Sequence, residues 1–143
     1  MRTGSPVVVR VVTKQLVPPI LLFALYVQFH GDYGPGGGFQ AGVIFAAGIV
    51  LYAMVFGIET AKAVLPPSVL LRLAPLGVLL FSAVGLYGLA TGYHFLDYAA
   101  LDPEDPAHGQ HLGLLLIEFG VGVTVAATML LLFYTFTSRR PPR

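Results

Sequence analysis

The sequence predicts an all-α integral membrane protein of four transmembrane helices with both termini in the cytoplasm. Three observations lead there. First, 56% of the 143 residues are hydrophobic and only 10% are charged, with mean hydropathy +0.79, whereas soluble domains carry about 25% charge. Second, the apolar residues collect into four runs, each near the roughly 20 residues a helix needs to cross a hydrocarbon core. Third, all eight Lys and Arg fall on one side of that four-span reading. Arg2, Arg10 and Lys14 precede the first run, Lys62 and Arg72 bracket the second connection, and Arg139, Arg140 and Arg143 follow the last. The first and third connections hold Asp32, Asp97, Asp102, Glu104 and Asp105 but no Lys or Arg. Basic residues resist translocation and stay in cytoplasmic loops, so this split sets orientation as well as span number.

The first candidate helix covers about 11–30. Its apolar run is too long for a signal-peptide core and no small-x-small cleavage site follows, so it reads as a retained span. Pro18 and Pro19 lie inside it and are expected to bend it, because proline removes a backbone donor and crowds the preceding turn. Lys14, one turn earlier, is expected to extend its ammonium toward the cytoplasm. The second helix covers about 38–58 after a glycine-rich link and ends before Pro66-Pro67. The third covers about 69–95 with a further bend at Pro75, and Arg72 near its start is expected to snorkel to the headgroups. The fourth covers about 110–136 and stops at Arg139-Arg140-Pro141-Pro142. Tyr and Phe gather near both boundaries, with Phe29, Tyr33, Phe39, Tyr93, Phe95 and Tyr98 outside and Tyr52, Phe56, Phe133 and Tyr134 inside. They form an aromatic belt without tryptophan. Residues 1–143 read as a single membrane domain with no soluble part.

Small residues recur at four-residue spacing: Gly38, Gly42 and Ala46 in the second span, Gly88 and Gly92 in the third, Gly109-Gly113 and Gly122-Ala126 in the fourth. Such stripes let helix backbones approach closely in lipid, where burial of apolar surface drives no association. They serve either packing within the bundle or docking of other membrane subunits. Four helices with no paired repeat and no mid-membrane break make a complete alternating-access carrier only as an oligomer, and a subunit of something larger is the simpler account.

Composition excludes several chemistries. There is no cysteine, so disulfides, thiolate metal sites, cysteine-ligated clusters and c-type haem attachment are out. No basic patch suggests nucleic acid, and no metal-ligand spacing appears. Glu118 is the one acid well inside an apolar span, about 12 Å along the helix from Gln110. A carboxylate at that depth costs several kcal/mol unless it is paired, hydrated or protonated. It therefore serves either as a proton or cation relay or as a protonated packing group. His111 precedes it by two turns on the same face, about 10 Å away along the axis. It is either a proton entry feeding Glu118 or an interfacial residue at a helix start. The connection from Asp97 to Gln110, with Asp102, Glu104 and Asp105, reads as a solvated loop with Asp-Pro turns that can concentrate cations at an entrance.

The segment Pro35-Gly36-Gly37-Gly38-Phe39-Gln40-Ala41-Gly42 is the most distinctive. It is not a phosphate loop, since no strand precedes it and no Gly-Lys-Ser/Thr follows. Its glycines allow backbone angles closed to other residues, the next helix starts with unpaired amides, and Gln40 can hydrogen-bond at this boundary. Following a first helix, this segment resembles the signature of the MnhB family, one of the component families of the Mrp-type multisubunit cation/proton antiporters. The run Leu116-Ile117-Glu118-Phe119-Gly120-Val121-Gly122 is similar to that family's last-helix acid followed by small residues. The resemblance covers nearly the whole chain. It implies a cofactor-free, non-enzymatic, multi-pass component of a cell-membrane complex that exchanges Na⁺ for H⁺, with other membrane subunits as partners. Related subunits occur in the membrane arms of ion-translocating oxidoreductases such as membrane-bound hydrogenases, which is the alternative setting.

Overall fold

A computed structural model describes residues 6–31, 34 and 36–139. Five helices, α1 (Val7–His30), α2 (Gly38–Phe56), α3 (Ile58–Val64), α4 (Pro67–Ala90) and α5 (Pro106–Ser138), are joined by a 3₁₀ turn at Tyr98–Leu101 between α4 and α5. The described residues contain no strand. Helices α1, α2, α4 and α5 are long and apolar enough to cross a membrane, and even the best-covered, α2, has only 33% of its most hydrophobic window buried inside the chain. Large apolar side chains such as Leu22, Phe23, Leu79, Leu86 and Phe136 are exposed along their flanks. That surface suits lipid or neighbouring helices rather than water.

The long helices stand in a row, not a closed bundle. Helix α1 packs on α2, α2 on α5, and α5 on α4, whereas α1 and α4 form no extensive interface. Helix α5 is thus the shared wall, and its two faces carry different small residues. Toward α4, a Cβ added to Gly120 would lie 2.7 Å from the Gly77 carbonyl oxygen, and one added to Gly77 would overlap Thr124 Oγ1 and the Gly120 carbonyl. Thr124 also donates to the Ala74 carbonyl at 2.8 Å, a cross-helix bond beside Pro75. Toward α2, a Cβ on Gly42 would sit 2.7 Å from the Gly122 carbonyl oxygen. Both helix pairs approach backbone to backbone, as small residues in lipid permit.

The apolar core lies toward one end of the helix axes, where Ala46, Ile49 and Ala53 of α2 meet Ala61, Leu70, Ala127, Leu130 and Tyr134. All five described cations gather at this end. Arg10 and Lys14 lie over the Phe56 ring, 5.6 and 5.8 Å from its centroid, within cation–π range. Lys62 donates to Ser138 Oγ at 3.0 Å and pairs with Glu59 at 3.3 Å, while Arg72 and Arg139 lie near the start of α4 and the end of α5. The acids Asp97, Asp102, Glu104 and Asp105 occupy the opposite end, in the α4–α5 connection. There, Asp105 caps α5 by accepting from the His108 amide at 3.3 Å and Pro106 takes the first helical position, the usual start signals.

Several expectations from the sequence are corrected. Helix α4 ends at Ala90, not near Phe95, because the chain turns back at Gly92 (φ +86). Thr91 Oγ1 bonds the Tyr87 and Gly88 carbonyls at 2.9 and 3.1 Å, and the Phe95 ring then covers Gly85. Gly88 faces the chain's own His94 carbonyl, and a Cβ on Gly92, outside the helix, would meet nothing within 4 Å, so these two form no helix-packing stripe. Gly109 and Gly113 are covered by Tyr98. Tyr134 is a packing residue rather than a belt residue, buried and donating to the Leu65 carbonyl at 3.3 Å, and the half-buried Tyr98 packs on these two glycines. Helix α3 is an addition to the four expected elements; Gly57 (φ +102) ends α2 and starts it. Helix α5 begins at Pro106, four residues before the predicted start. Pro18 and Pro19 lie inside α1 and Pro75 inside α4, the helices in which the sequence places its bends.

Candidate functional site

The two parts of the sequence that carry the functional expectation, the glycine segment and the fourth-span acid, meet in space. Glu118 is half-buried on α5, and its carboxylate lies against the elbow between α1 and α2. A Cβ added to Gly31 would stand 2.7 Å from Glu118 Oε2 and 3.1 Å from Oε1. One added to Gly37 would stand 3.2 Å from Oε1. At Gly38 a Cβ would overlap the Glu118 backbone carbonyl. Any side chain at these positions would thus occupy the space the acid uses. The glycines form a cradle of bare backbone for one carboxylate.

Local conformation explains why this elbow is glycine-rich. Gly37 precedes α2 at φ +140, a backbone geometry essentially confined to glycine. Helix α1 ends at His30, whose ring stacks on Tyr26 at 5.1 Å between centroids. The chain then reverses within a few residues, and the Ala41 amide bonds the Gly37 carbonyl at 3.0 Å to open α2. The carboxylate therefore sits between the negative end of the α1 dipole and the positive end of the α2 dipole.

The remaining predicted residues take varied positions. Gln40 is exposed, yet its Oε1 lies 3.4 Å from the point where a Gly37 Cβ would be, near the carboxylate's Oε1. Phe39 is 60% exposed and faces away from the chain's interior. Gly36 adjoins Val27, its Cβ position 3.0 Å from that residue's carbonyl oxygen, and Gly42 packs on Gly122. His111 is exposed on α5, two turns nearer the helix start than Glu118. Pro35, Asp32 and Tyr33 lie outside the described residues, as do Arg2, Arg140 and Arg143. Among the described residues no group of three or more His, Asp or Glu side chains is placed to hold a metal ion.

One residue escapes the sequence reading. Gln28, on the last turns of α1, is 5% exposed; its Oε1 lies 2.5 Å from the Cβ position of Gly122, one turn from Glu118. Its Nε2 has no hydrogen-bond partner among the described residues. The available signal is simple: Gln28 is the one amide side chain between Pro19 and His30.

Comparison with known proteins gives the family. Residues 8–131 match a family model described as a domain related to the MnhB subunit of Na⁺/H⁺ antiporters. Proteins described as "Putative antiporter subunit mnhB2" from Staphylococcus aureus strains Newman and JH1 are each 33% identical over 134 residues, which covers 87% of this chain and 94% of theirs. With a family match over most of its length and relatives of the same extent, this chain belongs to the MnhB family.

Proposed function

We propose that this chain, as a membrane subunit of a multisubunit Na⁺/H⁺ antiporter complex, supplies Glu118 as a proton-transfer group held in the glycine elbow. The observation that carries the reading is the nesting of the Glu118 carboxylate against Gly31 and Gly37. The charged form of an acid within an apolar span is costly to a degree set by the water, hydrogen bonds and charges beside it. That cost makes it sensitive to local water and charge, as a group that takes up and releases protons must be. Bare backbone around it leaves room for such changes, whereas side chains would fill the space. In this reading the chain lies in the cell membrane with its cation-rich end in the cytoplasm, because Lys and Arg are retained there. The Glu118 end then faces outward. His111, about 10 Å nearer the outer surface along α5, passes protons toward it through water.

The test is Glu118→Gln in the assembled complex reconstituted into vesicles. This change preserves volume and removes ionisation. Na⁺/H⁺ exchange is expected to fall or to shift its pH profile, while Glu118→Asp retains part of the activity. An assembled Glu118→Gln complex with wild-type exchange and an unchanged pH profile would refute the role. His111→Gln is expected to slow exchange with less effect on its pH dependence.

A further inference from the structure

We propose that Arg10 and Lys14 of α1, held over the Phe56 ring at the end of α2, form a binding site for the phosphate headgroup of an anionic phospholipid. The site goes beyond the role of Glu118 and lies at the other end of α2. Helix α2 has 19 residues, a length of about 28 Å, close to the roughly 30 Å thickness of a hydrocarbon core. When α2 crosses the membrane, its last residue, Phe56, therefore stands where hydrocarbon gives way to headgroups. The Arg10 guanidinium lies 5.6 Å and the Lys14 ammonium 5.8 Å from the centroid of that one ring. The two residues are one turn apart, so their side chains leave α1 on the same face. At this level Lys and Arg keep their stems in apolar surroundings and their charged heads among the phosphates.

The two cations share a ring but no anion. Neither makes an ion pair with a described residue, and the one described carboxylate at this end, Glu59, is paired with Lys62 at 3.3 Å. Two like charges brought to one ring repel each other; attraction to the ring face offsets part of this and neutralises neither. A phosphate group answers both, because its oxygens can take the forked guanidinium N–H groups and the ammonium together. Val7 and Val11, one turn before Arg10 and Lys14, are exposed and offer contact to an acyl chain. A phospholipid uses the cations and these valines, whereas a free phosphate ion uses the cations alone. A zwitterionic lipid brings its own cation beside the phosphate, so two basic residues favour a lipid with net negative charge. Basic sites beside membrane helices hold anionic headgroups in this way.

The test uses the assembled complex in lipid nanodiscs containing a trace of phosphatidylglycerol with a diazirine at the start of one acyl chain. Illumination and peptide mass spectrometry are expected to find adducts on residues 7–14 or 52–56. Unlabelled phosphatidylglycerol should suppress them and phosphatidylcholine should not. Arg10→Gln and Lys14→Gln should each lower the yield about fivefold, the weight of one basic residue near an anionic headgroup. Arg139→Gln removes an exposed charge at the same end that makes no such ring contact, and should leave the yield unchanged. Because the glutamine variants can disturb folding, the exchanged pair Arg10→Lys with Lys14→Arg provides a second test: both charges stay, and labelling should persist. Equal labelling by a phosphatidylcholine probe would overturn the proposal, as would an equal loss in Arg139→Gln or suppression by inorganic phosphate as effective as by the lipid. Absence of adducts on these residues in the intact complex, as when a partner subunit's carboxylate occupies the two cations, would overturn it as well.

Discussion

Gly38→Ala is the most direct probe of the geometry that builds the site. Gly38 is the first residue of α2 and is buried against α5. A methyl group there would lie 2.8 Å from the Glu118 carbonyl carbon and 3.0 Å from its Cα, and closer still to the carbonyl oxygen. These are backbone atoms, so no rotamer change relieves the overlap. Restoring ordinary separation from the carbon alone requires α2 and α5 to part by roughly 0.6 Å, and gaps of that size forfeit a quarter or more of the dispersion at a contact. Overpacking of this kind typically costs about 1–3 kcal/mol. Against it stands the preference of helices for Ala over Gly, worth at most about 1 kcal/mol. The net expectation is a loss of about 1–2 kcal/mol, roughly a five- to thirtyfold fall in the folded-to-unfolded ratio. Denaturant unfolding of the purified chain in mild detergent, followed by circular dichroism, measures it. Stability equal to or above wild type would refute the backbone-to-backbone approach of α2 and α5 at Glu118.

Gly92→Ala tests conformation without packing: its Cβ would meet nothing within 4 Å, but φ is +86. A loss of about 1–2 kcal/mol in the same unfolding assay is expected from the left-handed backbone, and no loss would contradict the turn. Tyr134→Phe removes the bond to the Leu65 carbonyl while keeping the ring in the core, and should cost about 0.5–1.5 kcal/mol. In the acidic connection, the hydrogen bond from His108 Nδ1 to Asp102 Oδ2 at 2.9 Å, with backbone amides assisting, holds the Asp102 carboxyl below its ordinary value of 3.8. A depressed folded value means the stabilisation is fully present above pH 3.8 and lost as pH falls through the lower folded value. Carboxyl-carbon NMR titration should find the midpoint below 3.8 and see it move upward in His108→Gln.

Much of the architecture is legible because it depends on local properties. Apolar run length marks the four spans, and Pro66-Pro67 and Asp105-Pro106 act as start signals at their helices. Pairing is less legible. Gly88, Gly92, Gly109 and Gly113 have the spacing of helix-docking stripes, yet Gly92 is outside its helix and the others are covered by the loop between α4 and α5. Four-residue spacing reports only that something can approach closely, not what does. The end of α4 is misplaced for a similar reason: Tyr93 and Phe95 prolong the apolar pattern, while Gly92 and the Thr91 hydroxyl end the helix.

By itself the sequence determined a lipid-facing, four-span chain with its cations gathered at one end and a glycine-rich link after the first span. Those properties follow from hydrophobic length, charge placement and backbone freedom, each read within a few consecutive residues. Tertiary structure alone decided that α5 stands between α2 and α4. That order carries Glu118 into an elbow some eighty residues earlier in the chain and buries Gln28 against Gly122. Helix order is a long-range choice made by which small-residue faces fit together, and no local pattern encodes it.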